Sequence, residues 1–70
     1  MATTIHLVQG MTCAHCARSV GGGIEGIDGV RRAVVDLDAG AVTVEAVAPV
    51  PDEAIAAAVA EAGYEYGGRA

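Results

Sequence analysis

The chain has 70 residues, enough for one small domain, and 53% of them are hydrophobic although Phe and Trp are absent. A core built mainly from Val, Ile, Leu, Met and Ala excludes a large enzyme core and a deep pocket within one protomer. Nine acidic and four basic residues give a net charge of −5, which argues against nucleic acid and anionic membranes as partners, and no apolar run approaches the about 18 residues that cross a bilayer.

The first half of the chain predicts a strand and then a helix. Residues 4–8 form a short β-branched segment, Gly10 breaks it, and a helical pattern begins near Ala14. One face of this helix carries apolar residues at helical spacing, namely Ala17, Val20, Ile24 and Ile27. Three consecutive glycines at 21–23 oppose the pattern, since each interior glycine costs about 0.5–1 kcal/mol relative to alanine. Gly26 and Gly29 mark the end of the helix.

The second half predicts a hairpin, a second helix and a short last strand. Residues 30–38 alternate, with Ala33, Val35 and Leu37 on the apolar face, and a turn at 38–40 leads into a strand at 41–46. After Pro49 and Pro51, a helix begins at Asp52 and Glu53, where negative charge suits the helix dipole. Its apolar stripe comprises Ile55, Ala58, Val59 and Ala62; Gly63 ends it, and residues 64–66 supply a strand before the 67–70 tail.

The element order is therefore βαββαβ. This order predicts an α+β, ferredoxin-like sandwich, in which two helices cover one face of a four-stranded antiparallel sheet. The sequence contains no internal repeat, linker or low-complexity tract, so residues 1–70 are expected to form a single domain. The N-terminus has neither the basic nor the long apolar region of a signal peptide, which favours a cytoplasmic location.

Two cysteines, Cys13 and Cys16, form a C-x-x-C pair. A disulfide between them would close too short a loop to stabilise the domain much, so the pair indicates chemistry rather than scaffolding. A structural zinc site is short of ligands, and a thioredoxin-like dithiol needs a longer chain. Two thiolates at the start of a helix suit a soft ion, with Cu(I) favoured, because the helix N-terminus stabilises thiolate over thiol.

The segment Gly10-Met11-Thr12-Cys13-Ala14-His15-Cys16 resembles the G-M-T-C-x-x-C signature of the heavy-metal-associated domain. The resemblance extends over nearly the whole chain, through Gly29-Val30, the strand at 41–44 and Ala62-Gly63-Tyr64; Gly21–Gly23 depart from it. That family includes small bacterial copper chaperones and the N-terminal modules of metal-transporting P-type ATPases. The resemblance implies the ferredoxin-like fold, Cu(I) held by Cys13 and Cys16, and transfer to a partner by thiolate exchange.

Other residues near the motif have weaker assignments. Met11 is expected to tether the loop to the core rather than to bind metal. His15, between the cysteines, is a candidate for tuning the thiols or assisting a bridging metal, or is simply a solvent-exposed residue. By resemblance, Tyr64 covers the metal site. His6 is ambiguous: counting apolar residues points Ile5 and Leu7 into the core, whereas the family register points Val8 and His6 inward.

The sequence thus predicts a metal carrier rather than an enzyme, with a copper-exporting P-type ATPase or a similar C-x-x-C protein as its partner. A carrier for another soft or borderline ion, such as zinc or mercury, and a thiol–disulfide redox protein remain as alternatives. The sequence is compatible both with a free-standing chaperone and with a module of an ATPase. It is also compatible with a metal-bridged homodimer.

Overall fold

The computed structural model describes residues 2–11 and 14–70. Its elements follow the predicted order, with six segments: β1 (Ala2–Gln9), α1 (Ala14–Glu25), β2 (Val30–Asp36), β3 (Ala41–Ala46), α2 (Asp52–Glu61) and β4 (Glu65–Arg69). The strands form one sheet in the order β2-β3-β1-β4, and every neighbouring pair is antiparallel. The ferredoxin-like arrangement is therefore confirmed.

Both helices cover the same face of the sheet. Apolar side chains from the helices and from the facing side of the sheet form one buried cluster: Val8, Val20, Ile24, Val42, Val44, Ile55 and Val59. On the opposite face of the sheet, Ile5, Leu7 and Val34 are exposed. Neither helix within the described part of the chain is long and apolar enough to cross a membrane.

Helix α1 continues through its three glycines because two of them lie against neighbouring elements. A Cβ at Gly21 would lie 3.5 Å from Cγ2 of Val35, and one at Gly23 would lie 3.7 Å from the carbonyl oxygen of Ala58. A Cβ at Gly22 would meet nothing within 4 Å. Close packing against β2 and α2 thus offsets the poor helix propensity of this segment.

Helix α2 ends as the sequence predicts. Its buried side chains are Ile55 and Val59. Gly63 adopts a φ of +93°, and the amide of Tyr64 donates to the carbonyl of Val59 over 3.1 Å. A left-handed residue at this position is the usual way to turn the chain out of a helix, and only glycine adopts it without strain.

Counting apolar residues in β1 leads to the wrong face. Ile5 and Leu7 are 45% and 38% exposed, whereas His6 and Val8 are buried. The register is set by the partner strand: His6 lies opposite Val42 and Thr4 opposite Val44, both of which point into the core. The register implied by the family resemblance is the one that the structure has.

The bounds of three predicted strands differ from the structure, and β1 spans Ala2–Gln9 rather than 4–8. β2 ends at Asp36, because Oδ1 of Asp36 accepts hydrogen bonds from the amides of Asp38 and Ala39 at 3.1 and 3.2 Å and begins the turn. Leu37, predicted to lie on the inner face of this strand, is consequently exposed.

β4 also differs from its predicted bounds: it spans Glu65–Arg69 rather than 64–66. It includes the glycine pair because a bulge lies there, where Leu7 pairs with Gly68 but Val8 pairs with Tyr66. A Cβ at Gly67 would lie only 3.1 Å from Cβ of Leu7, a tight contact that glycine avoids at this bulge. The segment taken as a tail is therefore part of the sheet.

Candidate metal centre

The C-x-x-C motif lies where β1 passes into α1. The strand ends at Gln9, and Gly10 turns the chain with a φ of +95°, a conformation that other residues rarely adopt. Met11 is half-buried and packs against the core cluster, as expected for a residue that tethers this loop. Cys13 lies outside the described residues, so its assignment as a ligand stays a prediction.

Cys16 lies in the first turn of α1, which begins at Ala14, and its side chain is half-buried. The amide groups of a first turn have no partner within the helix, and the helix dipole is positive there. The first turn of α1 contains no acidic residue that would neutralise this field. A location of this kind favours a cysteine thiolate over the thiol. The thiolate is the form that binds a metal ion.

Tyr64 lies beside the loop that leads to the motif. An ideal Cβ on Gly10 would be 3.4 Å from Cδ1 of Tyr64, so the ring lies beside Gly10, at the distance of an ordinary contact with a side chain there. Tyr64 is half-buried and, like Met11, packs against the core cluster. The structure thus brings the loop after α2 to the loop after β1.

His15 is solvent-exposed on α1. Its backbone carbonyl accepts a hydrogen bond from Oγ of Ser19 over 3.2 Å, an ordinary contact one helical turn away. Successive helical side chains point about 100° apart, so the half-buried Cys16 and the exposed His15 occupy different parts of the helix surface. Tuning of the thiols by His15 stays a prediction.

The sequence analysis named Gly10 and Gly63 as the ends of elements but did not predict that they lie beside one another. Gln9, Gly10, Gly63, Tyr64 and Glu65 line one depression beside the loop. Both glycines have positive φ values. The signal was present in the sequence, because each glycine stands at the end of a predicted element, but only the fold brings the two ends together.

Both ring nitrogens of His6 have hydrogen-bond partners within the protein. Its Nε2 lies 2.7 Å from Oγ1 of Thr4, and its Nδ1 lies 2.9 Å from the hydroxyl of Tyr66. Across residues 2–11 and 14–70, no three His, Cys, Asp or Glu side chains are grouped so as to hold a metal ion.

Comparisons with known proteins agree on one family. The family model described as the heavy-metal-associated domain matches residues 6–65. A COP-associated protein of Helicobacter felis is 45% identical over 60 residues, which cover 86% of this chain and 91% of that protein.

Two solved structures extend the similarity to the fold. A CopZ metallochaperone has a TM-score of 0.86 at 33% identity, over 93% of this chain and 98% of its own. A copper-binding domain from HMA7, a P-type ATPase, has a TM-score of 0.90 at 33% identity, over 100% of this chain and 96% of its own. The similarity to each therefore extends over almost the whole fold.

Proposed function

This chain belongs to the heavy-metal-associated domain family, and from that premise we propose that it is a cytoplasmic Cu(I) chaperone in which Cys13 and Cys16 hold the ion. The observation that carries the proposal is the half-buried Cys16 in the first turn of α1, three residues after the other cysteine. The similar HMA7 domain, which is described as copper-binding, supports the choice of ion. The domain, taken as residues 1–70, acts as a carrier and not as an enzyme.

The proposed ligand chemistry suits copper as cargo. Thiolates are soft ligands that select Cu(I), and the ion accepts a low coordination number. Two thiolates are sufficient, whereas a closed structural zinc site has four ligands. Met11 holds the loop to the core, and Tyr64 covers the loop from the side of α2.

Transfer proceeds by ligand exchange. A thiolate of the partner binds the copper ion while both original thiolates are still attached, which gives a three-thiolate intermediate. One Cu–S bond to the chaperone then breaks, a second partner thiolate binds, and the remaining bond to the chaperone breaks. Copper stays Cu(I) throughout, so no electron is transferred and no bare ion is released. The proposed recipient is a copper-exporting P-type ATPase or another protein with a C-x-x-C pair.

The ligands are tested by Cys13→Ser and Cys16→Ser under reducing conditions. Both variants should keep the circular dichroism spectrum of the wild type and lose tight Cu(I) binding, because one thiolate alone cannot form the two-sulfur site. Ser19→Ala, one turn after Cys16 on the exposed surface, is the control and should bind like the wild type. Full affinity in Cys16→Ser would overturn the two-thiolate model.

Ion choice is tested by native mass spectrometry with Cu(I), Zn(II) and Hg(II) offered together. Occupancy by copper supports the proposal, whereas preferred occupancy by zinc or mercury would indicate a carrier for that ion. Formation of a stable Cys13–Cys16 disulfide that cycles with a thiol reductant, without metal uptake, would indicate a redox protein. Size-exclusion chromatography of the loaded protein separates a monomer from a metal-bridged homodimer.

A further inference from the structure

His6 is a buried titratable side chain that the proposed metal site does not use. It lies on the buried face of β1, together with Val8, and is 0% exposed. Its two ring nitrogens face two hydroxyl groups: Thr4 Oγ1 at 2.7 Å and Tyr66 Oη at 2.9 Å. Both hydroxyls can donate or accept, so a neutral imidazole is satisfied in either tautomer.

The bond to Tyr66 joins β1 to an edge of the sheet. β4 is a short strand at that edge, it contains two glycines, and its pairing with β1 is interrupted by the bulge between Leu7 and Val8. The rings of His6 and Tyr66 also pack together, with centroids 5.8 Å apart and planes tilted by 40°. His6 therefore adds a side-chain hydrogen bond between β1 and β4 where their backbone pairing is irregular.

Charged groups approach His6 from two of the elements around it. From α2, Asp52 favours the charged imidazolium; from β4, Arg69 opposes it. These two groups are paired with each other, because Nη2 and Nε of Arg69 donate to Oδ1 of Asp52 at 2.6 and 3.1 Å. Tyr66, also on β4, is the nearest other titratable group.

Among the described residues, the one that β3 places opposite His6 and those that α1 buries are uncharged. On β3 the residue opposite His6 is Val42, and the buried residues of α1 are Val20, Gly21 and Ile24. An imidazolium at His6 would therefore contact two neutral hydroxyls and apolar side chains, with its nearest carboxylate already engaged by an arginine. Desolvation by burial is accordingly the largest effect on His6 and lowers its pKa from the ordinary 6.5.

We propose that the Thr4–His6–Tyr66 hydrogen-bonded chain is an acid-sensitive latch, which secures β4 to β1 while His6 is neutral and weakens the folded domain when His6 takes up a proton. The latch is independent of the metal ligands and operates in the metal-free protein. It makes the stability of the carrier depend on pH below the ordinary pKa of histidine.

The direction follows from linkage. Because the folded state favours neutral His6, the unfolded state binds more protons below pH 6.5. The contribution of His6 to stability is therefore complete above the unfolded-state pKa and is lost progressively as the pH falls toward the folded-state pKa. Between those two values, the unfolding equilibrium constant should rise about tenfold for each pH unit, which corresponds to uptake of one proton.

The test is urea unfolding of the metal-free, reduced protein, followed by circular dichroism at several pH values from about 7.5 to 5.5, above the usual carboxylate pKa range. The chain has two histidines, which provides a matched pair of variants. His15→Gln changes the exposed one and should retain the acid-dependent loss seen in the wild type. His6→Gln keeps a hydrogen-bonding side chain without the titration and should remove that loss.

A second measurement applies even where His6→Gln does not fold. In the wild type, the ring protons of both histidines are followed by NMR over the same pH range. The supporting result is a His6 ring that stays in its neutral form to a lower pH than the ordinary histidine pKa of 6.5. Equal acid sensitivity of the two variants, or a His6 ring that becomes charged at or above its ordinary pKa in the folded protein, would overturn the latch.

Discussion

The ring of Tyr64 lies beside Gly10, where a Cβ on the glycine would be 3.4 Å from Cδ1 of the tyrosine. Gly10 also needs its positive φ of +95° to turn the chain out of β1. Two loops from different halves of the sequence thus meet next to the C-x-x-C motif. A cover over the proposed copper site from the side of α2 is the expected consequence.

Replacing Tyr64 should expose that site. In Tyr64→Ala the ring is lost from the surface of Gly10, so we expect a competing chelator to remove bound Cu(I) several times faster than from the wild type. Tyr64→Phe keeps the ring and is the control for the hydroxyl. Removal rates are measured by stopped-flow spectroscopy with a chromogenic Cu(I) chelator. A rate in Tyr64→Ala equal to that of the wild type would mean that the ring does not cover the ion.

His15→Gln tests whether the exposed histidine influences the thiols. The electrostatic field of a charged His15 reaches the thiols through solvent, where the Debye length is about 8 Å at physiological ionic strength. Removing that charge should raise the pKa of the cysteine thiols slightly, most clearly at low salt. The measurement is the rate of alkylation of the metal-free protein across a range of pH at two salt concentrations. Superimposable profiles at low salt would leave His15 without a part in the site.

Gly22→Ala should stabilise the metal-free domain. Gly22 is exposed within α1, and a Cβ there would meet nothing within 4 Å. The substitution therefore improves helix propensity without a clash, and we expect the free energy of unfolding to rise by about 0.5–1 kcal/mol. Chemical denaturation followed by circular dichroism measures it, and a loss of stability would show that α1 does not tolerate alanine there.

Gly67→Ala should instead lower the free energy of unfolding. Its Cβ would lie 3.1 Å from Cβ of Leu7 and 3.3 Å from the carbonyl oxygen of Leu7, so the bulge in β4 would have to move. Overpacking of this kind costs about 1–3 kcal/mol, and we expect the free energy of unfolding to fall by that order. Gly22→Ala, measured in the same denaturant series, controls for the general effect of replacing glycine by alanine. An unchanged midpoint in Gly67→Ala would mean that β4 relaxes freely at the bulge.

The positions of the helices and of the hairpin were predictable because local patterns carry them. Ile55 and Val59 have the spacing of a helix, and both are buried as expected. Val42 and Val44 alternate along β3 and both lie in the core. The C-x-x-C pair was visible for the same reason, since its spacing lies within one short segment of the chain.

Three features depended on contacts between distant segments. The apolar residues Ile5 and Leu7 point outward because pairing with β3 sets the register of β1. β4 continues through its glycines because the bulge against Leu7 accommodates them. α1 tolerates its glycines because their small size permits close contact with Val35 and with the backbone of α2.

The sequence alone therefore determined the element order, the family and the candidate ligands, because each rests on patterns that can be read along the chain without knowing which distant residues meet. Tertiary structure decided the inward face of β1, the ring of Tyr64 against Gly10, and the His6–Tyr66 bond between residues 60 positions apart. Local propensity and periodicity act over a few residues, whereas strand register and loop contacts are settled by packing and hydrogen bonding across the whole domain.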